Sequence, residues 1–97
     1  MSISAHEHFL TLQLRARKEK ERRENVHNAN GVKYMEWEMA ACEQLAVTCK
    51  GLLIPFNEVE NVDRAVVQIG ETTWQQGRDN AIVALAERIK GFNPAKV

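Results

Sequence analysis

The first 25 residues carry a helical pattern of apolar positions that stops halfway. Phe9, Leu12 and Ala16 form one apolar stripe at steps of three and four residues. Leu10 and Leu14 lie beside this stripe, also at helical spacing. Ser4 and Glu7 precede this stripe at the spacing of a capping box. From residue 17 to residue 25 every side chain is polar. The pattern predicts a helix that begins after Ser4 and has little to bury in its second half.

A turn signal separates this helix from a second, more apolar one. Residues 28–31 are Asn-Ala-Asn-Gly, and both Asn and Gly tolerate the left-handed backbone found in turns. Beyond the turn, apolar residues form a sustained stripe, widened by Trp37, Ala41, Leu45 and Leu52: Val32, Met35, Met39, Cys42, Ala46, Cys49 and Leu53. This stripe predicts a helix from about Val32 to Leu53, ended by Pro55. Two helices of similar length joined by a short turn predict an antiparallel hairpin.

The C-terminal third fits either one kinked helix or two helices between Glu58 and Lys90. Two groups of apolar residues recur at helical spacing: Val59, Val62, Val66 and Ile69, then Trp74, Ala81, Leu85 and Ile89. Residues 65–69 also fit a short strand, but helix is the favoured prediction. Gly70 weakens a continuous helix, and Thr72 with Gln75 offers a second capping pattern.

Together these elements predict an all-α protein with one domain over residues 1–97. We expect an antiparallel helical hairpin followed by one or two C-terminal helices. Apolar residues make up 44% of the chain and charged residues 27%, which is ordinary for a globular protein. The apolar surface exceeds what two helices of this size would cover between them. We therefore also expect a symmetric homodimer or higher oligomer.

The net charge is zero, with 13 basic and 13 acidic residues, but the charges are unevenly distributed. Residues 32–63 carry two basic and six acidic residues, whereas both flanking segments have a basic excess. The zero balance argues against a surface devoted to nucleic acid. The acidic middle and basic ends are expected to attract each other, within one chain or between copies.

The sequence predicts a cytoplasmic location and no contact with a membrane. The chain does not begin with basic residues followed by a long apolar run. Its longest apolar run is residues 52–56, far shorter than the roughly 20 residues of a membrane span.

A basic run is the most conspicuous local feature, and it comprises Arg15, Arg17, Lys18, Lys20, Arg22 and Arg23. It predicts either a solvated, partner-facing helix or a phosphate-contacting face. The first reading is favoured, because glutamates are interleaved and no aromatic side chain is available to stack on bases. The two tryptophans are equally interpretable as core residues or as interface anchors. The candidate partner-binding residues are therefore Arg15, Lys18, Arg22, Arg23, Trp37 and Trp74.

Catalytic and metal-binding patterns are weak, so we expect no enzyme, no metal and no cofactor. His6 and His8 point about 200° apart on a helix and cannot share an ion there. Nucleotide pyrophosphatases of the MazG type hold magnesium with two pairs of acidic residues on neighbouring helices, the members of each pair being three residues apart. Glu60 and Asp63 supply one such pair, but the preceding helix lacks the other. The two cysteines lie seven residues apart, too far along a helix to form a disulfide with each other.

The chain resembles the small helical accessory proteins by which bacteriophages block host factors, including defence systems. The resemblance lies in length, helical content, the absence of catalytic motifs and the segment from Trp74 to Ile82. It implies a non-enzymatic binding protein that inhibits a host protein in the host cytoplasm. One alternative is a helical dimer that binds nucleic acid. Another is an oligomeric sponge for a small anionic ligand, held between subunits by Arg64, Arg78 or Arg88.

Overall fold

A computed structural model describes residues 1–76 and 80–93, which form four α-helices and two short strands. In chain order these are β1 (Ser2–Ser4), α1 (Ala5–Asn25), α2 (Ala29–Thr48), β2 (Leu53–Pro55), α3 (Val59–Thr73) and α4 (Asn80–Gly91). Two 3₁₀ turns lie at Phe56–Glu58 and Trp74–Gln76. Helices α1 and α2 pack against each other as a hairpin. The prediction of an all-α hairpin protein is confirmed.

The hairpin turn lies at residues 26–28, earlier than predicted. At the start of α1 the Ser4 hydroxyl accepts from the Glu7 amide at 3.2 Å, as expected for the cap. At the end of α1 the Asn28 amide donates to the Arg23 carbonyl at 2.9 Å, and His27 takes a left-handed φ of 56°. This arrangement is a Schellman motif. The Asn28 side chain then accepts from the Gly31 amide at 2.9 Å, so residues 29–31 form the first turn of α2.

The predicted end of α2 at Leu53 is wrong, since the helix ends at Thr48. Gly51 has a φ of 84° and turns the chain back. The next residues form β2, which pairs antiparallel with β1 and places Ile3 opposite Ile54. The Ile54 side chain is fully buried. Burial of this β-branched residue and the strand pairing outweigh the local helical pattern.

The Asn93 side chain forms hydrogen bonds with the backbone of β2. Its side-chain amide accepts from the Leu53 amide at 3.0 Å and donates to the Leu53 carbonyl at 2.8 Å. It also donates to the Ile89 carbonyl of α4 at 2.9 Å. Since Asn93 is 9% exposed, these bonds join the end of α4 to the sheet within the protein interior.

The described residues between 58 and 90 contain two helices, α3 and α4, and residues 65–69 are helical. Gly70 lies inside α3 and is buried there. A Cβ at Gly70 would lie 2.6 Å from the Tyr34 hydroxyl oxygen and 2.9 Å from Trp37 Cζ3, so glycine permits α3 to approach α2 closely. The predicted Thr72 cap is wrong, because the Thr72 hydroxyl donates to the Gln68 carbonyl within α3.

One core joins all the elements. Its largest fully buried side chains come from all four described helices, from β2 and from the segment after α2: Phe9 of α1, Leu45 and Cys42 of α2, Cys49, Ile54 of β2, Val62 of α3 and Ile89 of α4. Within the described part of the chain, no helix combines the length and the apolar character needed to cross a membrane.

Candidate binding groove

A groove runs between α1 and α3, with α2 as its floor. Its first part, of about 300 Å³, is lined by Leu12, Arg15, Ala16 and Glu19 of α1, Met35, Glu38 and Cys42 of α2, and Asp63, Val66 and Val67 of α3. It continues into a second part of about 400 Å³ that adds Arg23, Tyr34 and Glu71. We call these residues together the α1–α3 groove. Leu12, Met35 and Val66 make its interior apolar, whereas most of its charged residues are acidic.

Two of the groove carboxylates are held by basic side chains of α1. Glu19 accepts from Arg22 Nε at 2.9 Å and from Arg23 Nε at 2.8 Å. The hydrogen bonds from Arg22 and Arg23 lower the pKa of Glu19 to about 2. Asp63 Oδ1 lies 2.6 Å from His8 Nε2, which ties the start of α1 to α3.

Glu38 and Glu71 form no ion pair within the described residues. Burial raises the pKa of Glu38, and the Arg23 guanidinium and Tyr34 hydroxyl only partly offset this effect. Burial, followed by the charges of Glu38 and Glu71, raises the pKa of Tyr34 to about 12. Three glutamates, Glu19, Glu38 and Glu71, line this end of the groove together with Arg23, so acidic side chains outnumber basic ones there.

An aromatic cluster lies at the same end of the groove, where its Tyr34 is one of the lining residues. The rings of Tyr34 and Trp37 lie 6.2 Å apart, and the ring of Trp74 meets Tyr34 edge-on at 6.0 Å. The Arg23 guanidinium stands 5.9 Å from the centre of the Tyr34 ring. All three aromatic side chains are half-buried. The two tryptophans thus pack on their own chain beside the groove.

The structure separates the basic candidates for partner binding into different environments. Arg15 is exposed on the lip of the α1–α3 groove, and Lys18 is exposed outside it. Arg22 is exposed but engaged with Glu19. Arg23 is half-buried and also reaches the Gly31 carbonyl at 3.4 Å. Arg23 therefore supports the hairpin turn as well as lining the groove.

Arg64 and Arg88, two of the three arginines considered for an anionic ligand, each lie near a glutamate. Arg64 Nη2 lies 3.3 Å from Glu60, and Arg88 Nη2 lies 3.8 Å from Glu58. Neither lines the α1–α3 groove. Arg78 lies outside the described residues.

The candidate reactive and metal-binding side chains have structural partners or are buried. Among the described residues, no three His, Cys, Asp or Glu side chains lie close enough to hold a metal ion. The His6 Nδ1–H donates to the Ala46 carbonyl at 2.7 Å. Both cysteines are free and buried. Burial raises the pKa of the Cys42 thiol to about 12, so it is protonated and a poor nucleophile at neutral pH.

Several groove residues could not have been selected from the sequence. Glu19, Glu38 and Asp63 occupy three different helices, and helical spacing predicts only which residues share a face of one helix. The available signals lay within single helices. Leu12 and Glu19 are seven residues apart on α1, and Asp63, Val67 and Glu71 follow one another at steps of four on α3, so each set shares a side of its helix.

No protein-family model, curated protein or solved structure matches the chain. The fold and the site define a helical-hairpin protein with an open, acidic, partly apolar groove.

Proposed function

We propose that this protein is a non-enzymatic binding protein whose α1–α3 groove takes a basic amphipathic helix of a protein partner. The observation that carries the proposal is the composition of the groove: an apolar interior between two helices, bordered by four carboxylates. Recognition of an amphipathic helix in a groove requires this combination of apolar contact and complementary charge.

The groove offers apolar contact to an incoming helix. Val67 is 44% exposed on its α3 side, and Leu12 is half-buried on its α1 side. Met35 lies between them at the floor and is 4% exposed. From Leu12 to Arg23 the α1 wall is about 16 Å long, which matches roughly three turns of a bound helix.

The charges favour a basic partner over an acidic one. Burial raises the pKa of Glu38, and a lysine or arginine placed beside it would stabilise its ionised form and offset that effect. Glu71 is exposed on the opposite wall. The groove carboxylates would repel the phosphates of a nucleic acid. Two of the basic side chains that a nucleic acid would need, those of Arg22 and Arg23, already form ion pairs with Glu19.

The resemblance to bacteriophage accessory proteins adds a class of partner to this proposal. On that reading the bound helix belongs to a host protein, which the binding would block. The groove chemistry applies to any protein that exposes a basic amphipathic helix.

A peptide-display selection on the full chain tests the proposal without a known partner. We expect the selected 16-residue peptides to place Lys or Arg beside apolar residues at steps of three and four. Val67→Lys should weaken their binding by about tenfold, because it removes an apolar contact and adds a like charge.

Val83→Lys is the matched control, since Val83 is 52% exposed on α4 and does not line the groove. Peptides that bind both variants equally, or that are acidic, would refute the proposal. If single-stranded DNA binds instead, with an affinity that falls steeply as salt rises, the nucleic-acid alternative takes its place.

A further inference from the structure

A second surface of α1 lies on the side of the helix away from the α1–α3 groove. It is formed by Glu7, Leu10, Leu14 and Arg17, which share one face because they are spaced by three, four and three residues. All four side chains are exposed, with Leu10 at 42% and Leu14 at 51%. Leu10, Leu14 and Arg17 also line a shallow surface depression of about 260 Å³ together with Gln13.

The arrangement of these four residues is symmetric along the helix. Two leucines stand in the centre, an acid lies three residues before them and a base three residues after them. If a second α1 is laid antiparallel across this face about a two-fold axis, Leu10 meets Leu14 of the second copy. The same rotation brings Glu7 opposite Arg17 of the second copy. Both contacts are repeated by the symmetry, as in any isologous interface.

The charges at the two ends are available for this contact. Within the described residues, neither Glu7 nor Arg17 forms an ion pair, although Glu19, Arg22 and Arg23 on the same helix do. We propose that Glu7, Leu10, Leu14 and Arg17 form a self-complementary face through which two copies of the chain pair their α1 helices antiparallel. This proposal is independent of the proposed function, because the groove lies on the other side of α1.

The expected dimer is weak. One face of a single helix buries less area than the roughly 1,200–2,000 Å² of a standard interface. The dimer should therefore dissociate on dilution in the micromolar range or above, and higher salt should weaken it further. Sedimentation equilibrium of the full chain over about two decades of concentration measures this directly.

Charge exchange identifies the interface. Arg17→Glu should raise the dissociation constant about tenfold, because two symmetry-related pairs change from attractive to repulsive. Glu7→Arg should act in the same direction. The double variant should restore the constant to within about threefold of the wild type, since it re-forms both pairs in exchanged order.

Lys33→Glu is the matched control, because Lys33 is exposed on α2, outside the proposed face of α1, and the substitution changes the net charge equally. Far-ultraviolet circular dichroism checks that each variant remains folded. A chain that stays monomeric at every concentration overturns the proposal. So does a dimer that Arg17→Glu and Lys33→Glu weaken equally, or one that the double variant fails to restore. A variant that no longer dimerises but still binds the selected peptides would show that this face and the α1–α3 groove act independently.

Discussion

Asn93 offers the sharpest test of how the fold is held together. Its side chain joins the end of α4 to β2 through three hydrogen bonds of 2.8 to 3.0 Å. Asn93→Ala removes all three and leaves the amide and carbonyl of Leu53 without their partners. A net hydrogen bond contributes about 1 kcal/mol, and an unsatisfied buried group costs about 1–3 kcal/mol. Because the Leu53 side chain is 47% exposed, water can reach this strand partially. We therefore expect a loss of about 3 kcal/mol in the free energy of unfolding.

Urea unfolding followed by circular dichroism measures this loss. For a domain of this size it corresponds to a melting temperature lower by roughly 12–24 °C. Asn57→Ala is the control, since Asn57 is exposed and its side chain makes no hydrogen bond within the described residues. A loss below about 0.5 kcal/mol for Asn93→Ala, equal to that of the control, would refute the argument that Asn93 holds α4 to β2.

Asn93→Asp extends the same prediction to pH. The ionised carboxylate would accept from the Leu53 amide but would also face the Leu53 and Ile89 carbonyls, which bond to the Asn93 amide nitrogen. Its pKa in the folded state should therefore rise above the ordinary value of about 3.9. The variant should be destabilised at neutral pH and regain stability as the pH falls and the carboxyl is protonated. Equal destabilisation at about pH 3.5 and pH 7 would contradict this reasoning.

Four further predictions concern the backbone and the cysteines. His27→Gly should raise the free energy of unfolding by about 0.5–1 kcal/mol, because glycine adopts the left-handed conformation without the cost of a Cβ. Gly70→Ala should lower it by about 1 kcal/mol, as a steric cost of 1–3 kcal/mol exceeds the helix-propensity gain of about 1 kcal/mol. Cys42 and Cys49 should react with iodoacetamide only when the protein opens, since both are buried. Stability should also fall above pH 9, where the unfolded Cys42 thiol ionises but the folded one, with a pKa of about 12, does not.

Each of these has a result that would count against it. Lower stability of His27→Gly in urea would show that the imidazole makes an essential contact. Gly91→Ala is the control for Gly70→Ala, since nothing lies within 4 Å of its new Cβ, and equal effects would disprove the steric argument. Rapid alkylation in native buffer would contradict the burial of the cysteines. In a Cys42→Ala variant the alkaline loss of stability should be smaller, and an unchanged pH profile would remove Cys42 as its cause.

Local signals predicted the helices better than their ends. The apolar stripes and the Ser4 cap predicted α1 and most of α2 correctly, because both act within one or two helical turns. The turn was misplaced because Asn28 was assigned to the loop, whereas its side chain caps α2. The end of α2 was misplaced because Leu52 and Leu53 continue the apolar stripe beyond the last helical residue.

The sequence by itself determined the helical hairpin, because the period of apolar residues and the capping side chains are encoded within each segment. Tertiary structure decided the pairing of β1 with β2, since Ile3 and Ile54 are brought together only when the core forms. It also decided the α1–α3 groove. Periodicity places Glu19, Glu38 and Asp63 on faces of three separate helices, but only the packing of those helices brings the three carboxylates to one surface.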